Sequence, residues 1–155
     1  MIPASLPEAR DAVEREALIE AGRKLFARPC SFFYAAQKID QLPPPRGPEI
    51  ALCGRSNVGK SSLVNVLLLL DARIETKASD RAAMELLAEA AVAFQIVLTK
   101  ADDAKPYWLA KRTEEAQRLA RAHTAGHPMV LVTSAETGLG IPELRAEIAT
   151  LAAPE

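Results

Sequence analysis

Residues 49–65 read EIALCGRSNVGKSSLVN: a short apolar run, a loop bounded by two glycines, and the start of a second apolar segment. Residues Ile50 to Cys53 predict a buried strand, and Gly54–Ser61 matches G-x-x-x-x-G-K-[ST]. Each part of that spacing has a physical purpose. Gly54 and Gly59 allow the backbone angles that turn the amides of Arg55, Ser56, Asn57 and Val58 inward as an anion nest. A helix opening near Lys60 and running through Val64 or beyond adds the positive end of its dipole. Lys60 is spaced to reach the β- and γ-phosphates of a nucleotide as a point charge. The Ser61 hydroxyl is spaced to ligate Mg²⁺, with Ser62 following it at the phosphate end.

Downstream, apolar runs alternate with helical patterns. Strands are expected over Leu67–Asp71, Phe94–Thr99 and Pro128–Thr133. Between them lie a helix capped by Ser79, carrying Ala83, Leu86, Leu87 and Ala90, and a helix over Lys105–Ala125 with Leu109, Ala116, Leu119 and Ala120 on one face. Pro142 opens a last helix with Leu144, Ile148 and Leu151. Near-continuous apolar strands separated by amphipathic helices predict an α/β fold of the P-loop NTPase kind, a parallel sheet with helices on both faces. In such sheets ligands bind outside the carboxyl ends of the strands.

The 155 residues fit one domain of ordinary size preceded by an N-terminal region. Residues 1–47 hold a predicted helix, with Pro7 as a first-turn proline and Val13, Leu18, Ala21 and Leu25 on one face, then the aromatic run Phe32-Phe33-Tyr34 and a linker marked by Pro43, Pro44 and Pro45. Residues 48–155 hold the nucleotide-binding pattern. A balance of 19 basic against 20 acidic residues supplies no global case for DNA or for an anionic membrane. The acidic start lacks a signal-peptide pattern and no apolar run is long enough to span a bilayer, so the cytoplasm is the expected compartment. Cys30 and Cys53 offer no disulfide framework, and Cys53 reads as a buried reduced thiol. His123 and His127 flank Gly126, which is expected to end the preceding helix and separate them, so they predict no metal site.

Two further motifs fall at strand ends. Thr99-Lys100-Ala101-Asp102 follows the third expected strand and resembles the [NT]-K-x-D element by which GTP-binding domains read guanine. There the Asp carboxylate accepts from N1–H and the 2-amino group, while the Lys stem covers the base. Adenine lacks those donors and would leave the carboxylate badly paired. Thr133-Ser134-Ala135 ends the last strand and resembles the S-A-x element of such domains, whose backbone contacts the guanine carbonyl oxygen. Together the three motifs predict GTP/GDP with Mg²⁺ as ligands. An ATP-using enzyme is disfavoured by Thr99–Asp102 and by the apparent lack of a second acidic strand-end motif.

The string from Pro48 to Asn65 resembles the phosphate loop of the EngB/YihA/YsxC family of bacterial ribosome-biogenesis GTP-binding proteins, within the TrmE-Era-EngA-EngB-Septin-like P-loop GTPases. LLLLDARIETKASDRAAMELL (67–87), VAFQIVLTKADD (92–103) and ETGLGIPELRAEI (136–148) agree with it, as does Thr at position 99. The resemblance implies binding to a large ribosomal subunit precursor during its assembly, with links to cell division and septation. It also exposes a gap. In the family several dozen residues separate the phosphate-loop helix from the strand that begins here at Leu67. They carry the first switch, the outer two strands, D-x-x-G and the second switch. No D-x-x-G occurs in this chain. The expectation is a sheet lacking its outer strands, shortened near residues 65–68. The join is tight enough that either the Leu67–Leu70 strand or the preceding helix must give way. Very weak hydrolysis follows, and a non-hydrolysing nucleotide-binding or scaffold remnant stands as the alternative.

Overall fold

The structure, a computed structural model, describes residues 11–31, 35–38, 41, 44, 49–53 and 65–152. Four strands, β1 (Ile50–Cys53), β2 (Asn65–Asp71), β3 (Ala93–Thr99) and β4 (Leu131–Val132), form one sheet in the order β1-β2-β3-β4. All three pairings are parallel. The helices are α1 (Ala12–Phe26), α2 (Ala78–Glu89), α3 (Pro106–Arg121) and α4 (Ile141–Leu151).

Alternation along β2 and β3 sorts the core into two layers. Val66, Leu68, Leu70, Phe94, Ile96 and Leu98 face Met84 of α2 and Ala116 and Ala120 of α3. On the other side Leu67, Val97 and Leu131 meet Leu144 and Ile148 of α4. Helices therefore cover both faces, as the unbroken apolar runs require. Strand β2 is the centre of this arrangement. It is paired from Asn65 onward with both neighbours, to Ile50 of β1 and to Ala93 of β3.

The Leu67–Leu70 stretch is therefore strand and not helix. Strand β2 begins at Asn65, two residues before the expected Leu67, so no helix extends beyond Val64. The other boundaries shift for tertiary reasons. Helix α3 stops at Arg121 instead of Ala125, because residues 125–127 leave it to run beside β3. There the Phe94 amide donates to Ala125 O and the His127 amide to Phe94 O. Gly126 thus does not end the helix. It permits close approach, since a Cβ there would lie 2.2 Å from Ala120 O. Strand β4 is reduced from Pro128–Thr133 to Leu131–Val132. Ser79 does not cap α2. The N-cap is Lys77, whose amide donates to the Asp80 carboxylate at 2.9 Å. In α2 the core position belongs to Met84, while Leu86 is exposed.

Helix α1 packs along α4. Asp11 caps it by accepting from the Glu14 amide, and Pro7 lies outside the described residues. Its inward face is Glu14, Leu18, Ile19, Gly22 and Leu25, whereas Val13 and Ala21 of the expected face point outward. The helices touch at backbone distance: a Cβ on Gly22 would sit 2.6 Å from Arg145 C and Ala146 N. Arg15 pairs with Glu143 across the same seam, and the Arg145 guanidinium lies 5.5 Å from the Phe26 ring. The aromatic run Phe32-Phe33-Tyr34 and most of the proline linker lie outside the described residues.

Candidate functional site

The carboxyl ends of β2, β3 and β4 share one rim because the strands are parallel and in register, Asp71 opposite Thr99 and Leu98 opposite Val132. The sequence motifs at 99–102 and 133–135 stand on this rim, and the backbone stitches them together. Thr99 accepts from the Ala72 amide at 2.9 Å through its carbonyl, and its hydroxyl donates to Leu70 O at 3.2 Å. Thr133 reaches β3 twice, its amide and hydroxyl donating to Leu98 O at 2.7 and 3.1 Å. The Ala101 amide then donates to Thr133 O at 3.1 Å, joining one loop directly to the other.

Local conformation decides which side chains the rim presents. Lys100 adopts a left-handed backbone, φ 59°, which turns the chain sharply into a short 3₁₀ turn over Ala101–Asp103. Ala101 is buried by that turn, while Lys100 and Asp102 stay exposed. Asp103 pairs with Arg73 at 3.3 Å, but Asp102 forms no ion pair among the described residues. Its carboxylate is left with its acceptor capacity intact. On the neighbouring loop Ser134 is fully buried. Its hydroxyl accepts from the Thr137 amide, its own amide donates to Leu139 O, and its carbonyl accepts from Gly138. Those bonds close a tight turn and leave Ala135 exposed, its amide unbonded among the described residues. The rim thus offers a free carboxylate, a lysine stem and an open amide, a set suited to a base carrying both donors and a carbonyl.

The phosphate-loop residues Gly54, Arg55, Ser56, Asn57, Val58, Gly59, Lys60, Ser61 and Ser62 lie outside the described residues. The strand that leads into them is described, and β1 ends at Cys53, level with Leu68 and three residues below Asp71 at the rim. Burial pushes the Cys53 thiol pKa up, which keeps it a neutral packing group as expected.

Sequence reading missed three supports of the site. Asp71 ends β2 at the rim, where the expected Leu67–Asp71 strand also ends, but its ion pairs went unseen. Arg73 holds its carboxylate by Nη2–Oδ2 at 2.8 Å and Nε–Oδ1 at 3.0 Å, and Lys100 Nζ lies 3.4 Å from Oδ2. The Arg73 guanidinium, then the Lys100 ammonium, hold Asp71 well below the usual carboxylate range. The visible signal was an acid closing an apolar run with Arg two residues on. Gly140, φ 67°, is the second: a Cβ there would lie 2.0 Å from Val132 O, directly under the 133–135 loop. Its signal was a glycine shortly before the Pro142 that opens α4. Trp108 is the third, its indole N–H donating to Ala72 O at 3.0 Å to fix the β2 turn from below. His123 lies edge-on to Phe94 and His127 Nδ1 accepts from the Met129 amide, so neither is disposed toward a metal. Among the described residues no cluster of three or more His, Cys, Asp or Glu is arranged to hold one.

Comparison with known proteins adds sequence evidence to this geometry. The family described as "50S ribosome-binding GTPase" matches residues 49–84. A protein of Gluconobacter oxydans (strain 621H), named "Probable GTP-binding protein EngB", is 42% identical over 206 residues, covering 90% of this chain and 91% of its own length. The equally named protein of Caulobacter vibrioides is 35% identical over 220 residues, covering 99% and 95%. Among solved structures, the apo form of translation elongation factor SelB from Methanococcus maripaludis matches with a TM-score of 0.54 and 23% identity. The match covers 58% of this chain and 20% of that one, and it bears on the fold alone.

Proposed function

Since the chain belongs to the EngB family of GTP-binding proteins, we propose that it binds GTP and GDP at the rim where β3 and β4 end, with the loop that follows β1. The observation that carries the reading is the junction of two loops that are far apart in sequence. The Ala101–Thr133 hydrogen bond holds the free Asp102 carboxylate and the open Ala135 amide on one short stretch of rim. In this reading Asp102 accepts from guanine N1–H and the 2-amino group, the Lys100 stem covers the ring, and the Thr133–Ala135 backbone meets the carbonyl oxygen. Gly54 to Ser62 cradle the phosphates, with Lys60 on the β- and γ-phosphates. The Ser61 hydroxyl would supply one oxygen to Mg²⁺, which suits an ion that keeps its waters and takes most other ligands from phosphate. Residues 48–155 form the nucleotide-binding domain and residues 1–47 an extension docked through α1.

The biological role proposed with it is assembly of the large ribosomal subunit in the cytoplasm, with the precursor particle as partner and a link to division and septation. Among the described residues no helix is long and apolar enough to cross a membrane. The proposal includes an internal shortening near residues 65–68 that removes both switches and D-x-x-G. Alignments running over 206 and 220 residues, set against a chain of 155, support it, because they must open gaps opposite this chain. A nucleotide binder with little or no turnover is the second reading, favoured by that same excess of aligned length.

The test is competition for a fluorescent GDP. GTP and GDP should displace it, and ATP should not. Asp102→Asn should turn preference toward xanthine nucleotides, because the amide places a donor where the carboxylate was an acceptor. Equal displacement by ATP from the unsubstituted chain would overturn the assignment.

A further inference from the structure

The Asp71–Arg73 unit lies beside the base-reading turn, at the end of a strand that the motifs do not include. Asp71 is the last residue of β2 and stands opposite Thr99, so the next residue of β3, Lys100, leaves the sheet level with it. The left-handed turn at Lys100 lets the side chain reach back across the strand ends, and Nζ arrives 3.4 Å from Asp71 Oδ2. Arg73 fixes Asp71 from the other side with its Nη2, its Nε and its backbone amide, the last donating to Oδ1 at 3.0 Å. The same guanidinium reaches Asp103 at 3.3 Å. The turn carrying Asp102 is therefore strapped at both ends, through Lys100 and through Asp103, by one acid–base unit on another strand. Asp71 is 19% exposed and Lys100 55% exposed, so the anchor is half sheltered and the stem it tethers lies open at the rim.

We propose that Asp71 is a positioning residue for nucleotide binding: it holds the Lys100 ammonium so that the lysine stem lies pre-ordered where the base must stack. The inference rests on the base-site reading above. An untethered lysine must surrender rotamer freedom when a ligand arrives, and a tether made beforehand removes that cost. Arg73 keeps Asp71 ionised and aimed. Because Lys100 is more than half exposed, the tether is worth only what a screened ion pair gives. Its loss should weaken nucleotide binding by about two- to five-fold.

A double-mutant cycle on fluorescent-GDP affinity separates positioning from general support. Asp71→Asn and Lys100→Met should each lose about two- to five-fold, and the double variant should lose no more than Lys100→Met alone. Asp71→Glu, which keeps the charge, should recover part of the loss. Losses that multiply in the double variant, or an Asp71→Asn protein that binds as tightly as the parent, would overturn the inference. Should Asp71→Asn fail to fold, Arg73→Gln with Lys100→Met runs the same cycle, with the same non-additivity expected. The control is competition by ATP on the unsubstituted chain. Equal binding of adenine and guanine nucleotides removes the base site and this inference with it, whereas guanine selectivity with an inert Asp71 removes the inference alone.

Discussion

Replacing Gly140 by alanine tests how the 133–135 loop is held. Two costs are legible in the structure. At φ 67° the backbone lies in the left-handed region, where an ordinary residue costs about 1–2 kcal/mol. A Cβ there would also stand 2.0 Å from Val132 O and 3.3 Å from the Thr133 methyl, so backbone must move, and overpacking of that kind costs about 1–3 kcal/mol. The whole comes to about 2–5 kcal/mol, or a fall in Tm of about 4–20 °C for a domain of this size. Gly138 supplies an internal reference. It has φ 77° and nothing within 4 Å of a built Cβ, so Gly138→Ala carries only the conformational part, about 2–8 °C. Thermal unfolding by circular dichroism reads both, and guanine-nucleotide titration should show weaker binding in Gly140→Ala alone, because the atoms forced aside lead into Thr133–Ala135. Equal Tm losses in the two variants would refute the close-approach argument. Undiminished nucleotide affinity in Gly140→Ala would refute the link between that approach and the site.

Gly22→Ala should destabilise the α1–α4 seam by about 1–3 kcal/mol, because backbone atoms of Arg145 and Ala146 have no flexible end to move, and the gain in helix propensity of about 1 kcal/mol only partly offsets it. Urea unfolding checks it, and a more stable variant would show that the helices separate freely. Lys60→Ala should lower nucleotide affinity about ten- to a hundred-fold, the worth of one charge-assisted contact, and an unchanged Kd by calorimetry would place the phosphates elsewhere. GDP and a slowly hydrolysed GTP analogue should bind the unsubstituted chain within about threefold of each other, since a ligand discriminates only through contacts that differ and the proposed shortening removes the switch elements. A strong triphosphate preference, or rapid phosphate release in a single-turnover assay, would show that another segment has taken their place.

The strands were legible because burial on both faces demands near-continuous apolar runs, and VLLLL and FQIVL are such runs of strand length. Their ends were not, because pairing partners set them: Asn65 is polar, yet Ile50 and Ala93 hold it in the ladder. Helix faces were misjudged where periodicity alone admits neighbours, as with Leu86 for Met84 and Val13 for Glu14. Each base-reading motif could be seen, but the Ala101–Thr133 bond that unites them could not, since sequence spacing carries no information about which strands adjoin. Asp71, Arg73, Lys100 and Asp103 went unconnected for the same reason. They meet only because Asp71 and Thr99 share a register.

The sheet order explains how a chain of this length can keep the proposed base site. Strand β2 is flanked by β1 and β3 along the register from Asn65, and no element that bears Lys100, Asp102 or Ala135 depends on anything beyond β1. The return from Cys53 to the start of β2 is short: three residues of strand, about 10 Å, plus one strand spacing of about 4.8 Å. Residues 54–64 have ample contour length for that, so the parallel pairing is compatible with the join. The weak members are the two edge strands, β1 of four residues and β4 of two, each paired on one side among the described residues, and β1 carries Leu52 at 61% exposure. In the proposed site the base half therefore rests on β3, paired on both sides, and on the edge strand β4, while the phosphate half hangs from β1, the other edge. Ligand that engages both halves stabilises the native arrangement by mass action, and the strand that gains most is the one held least without it.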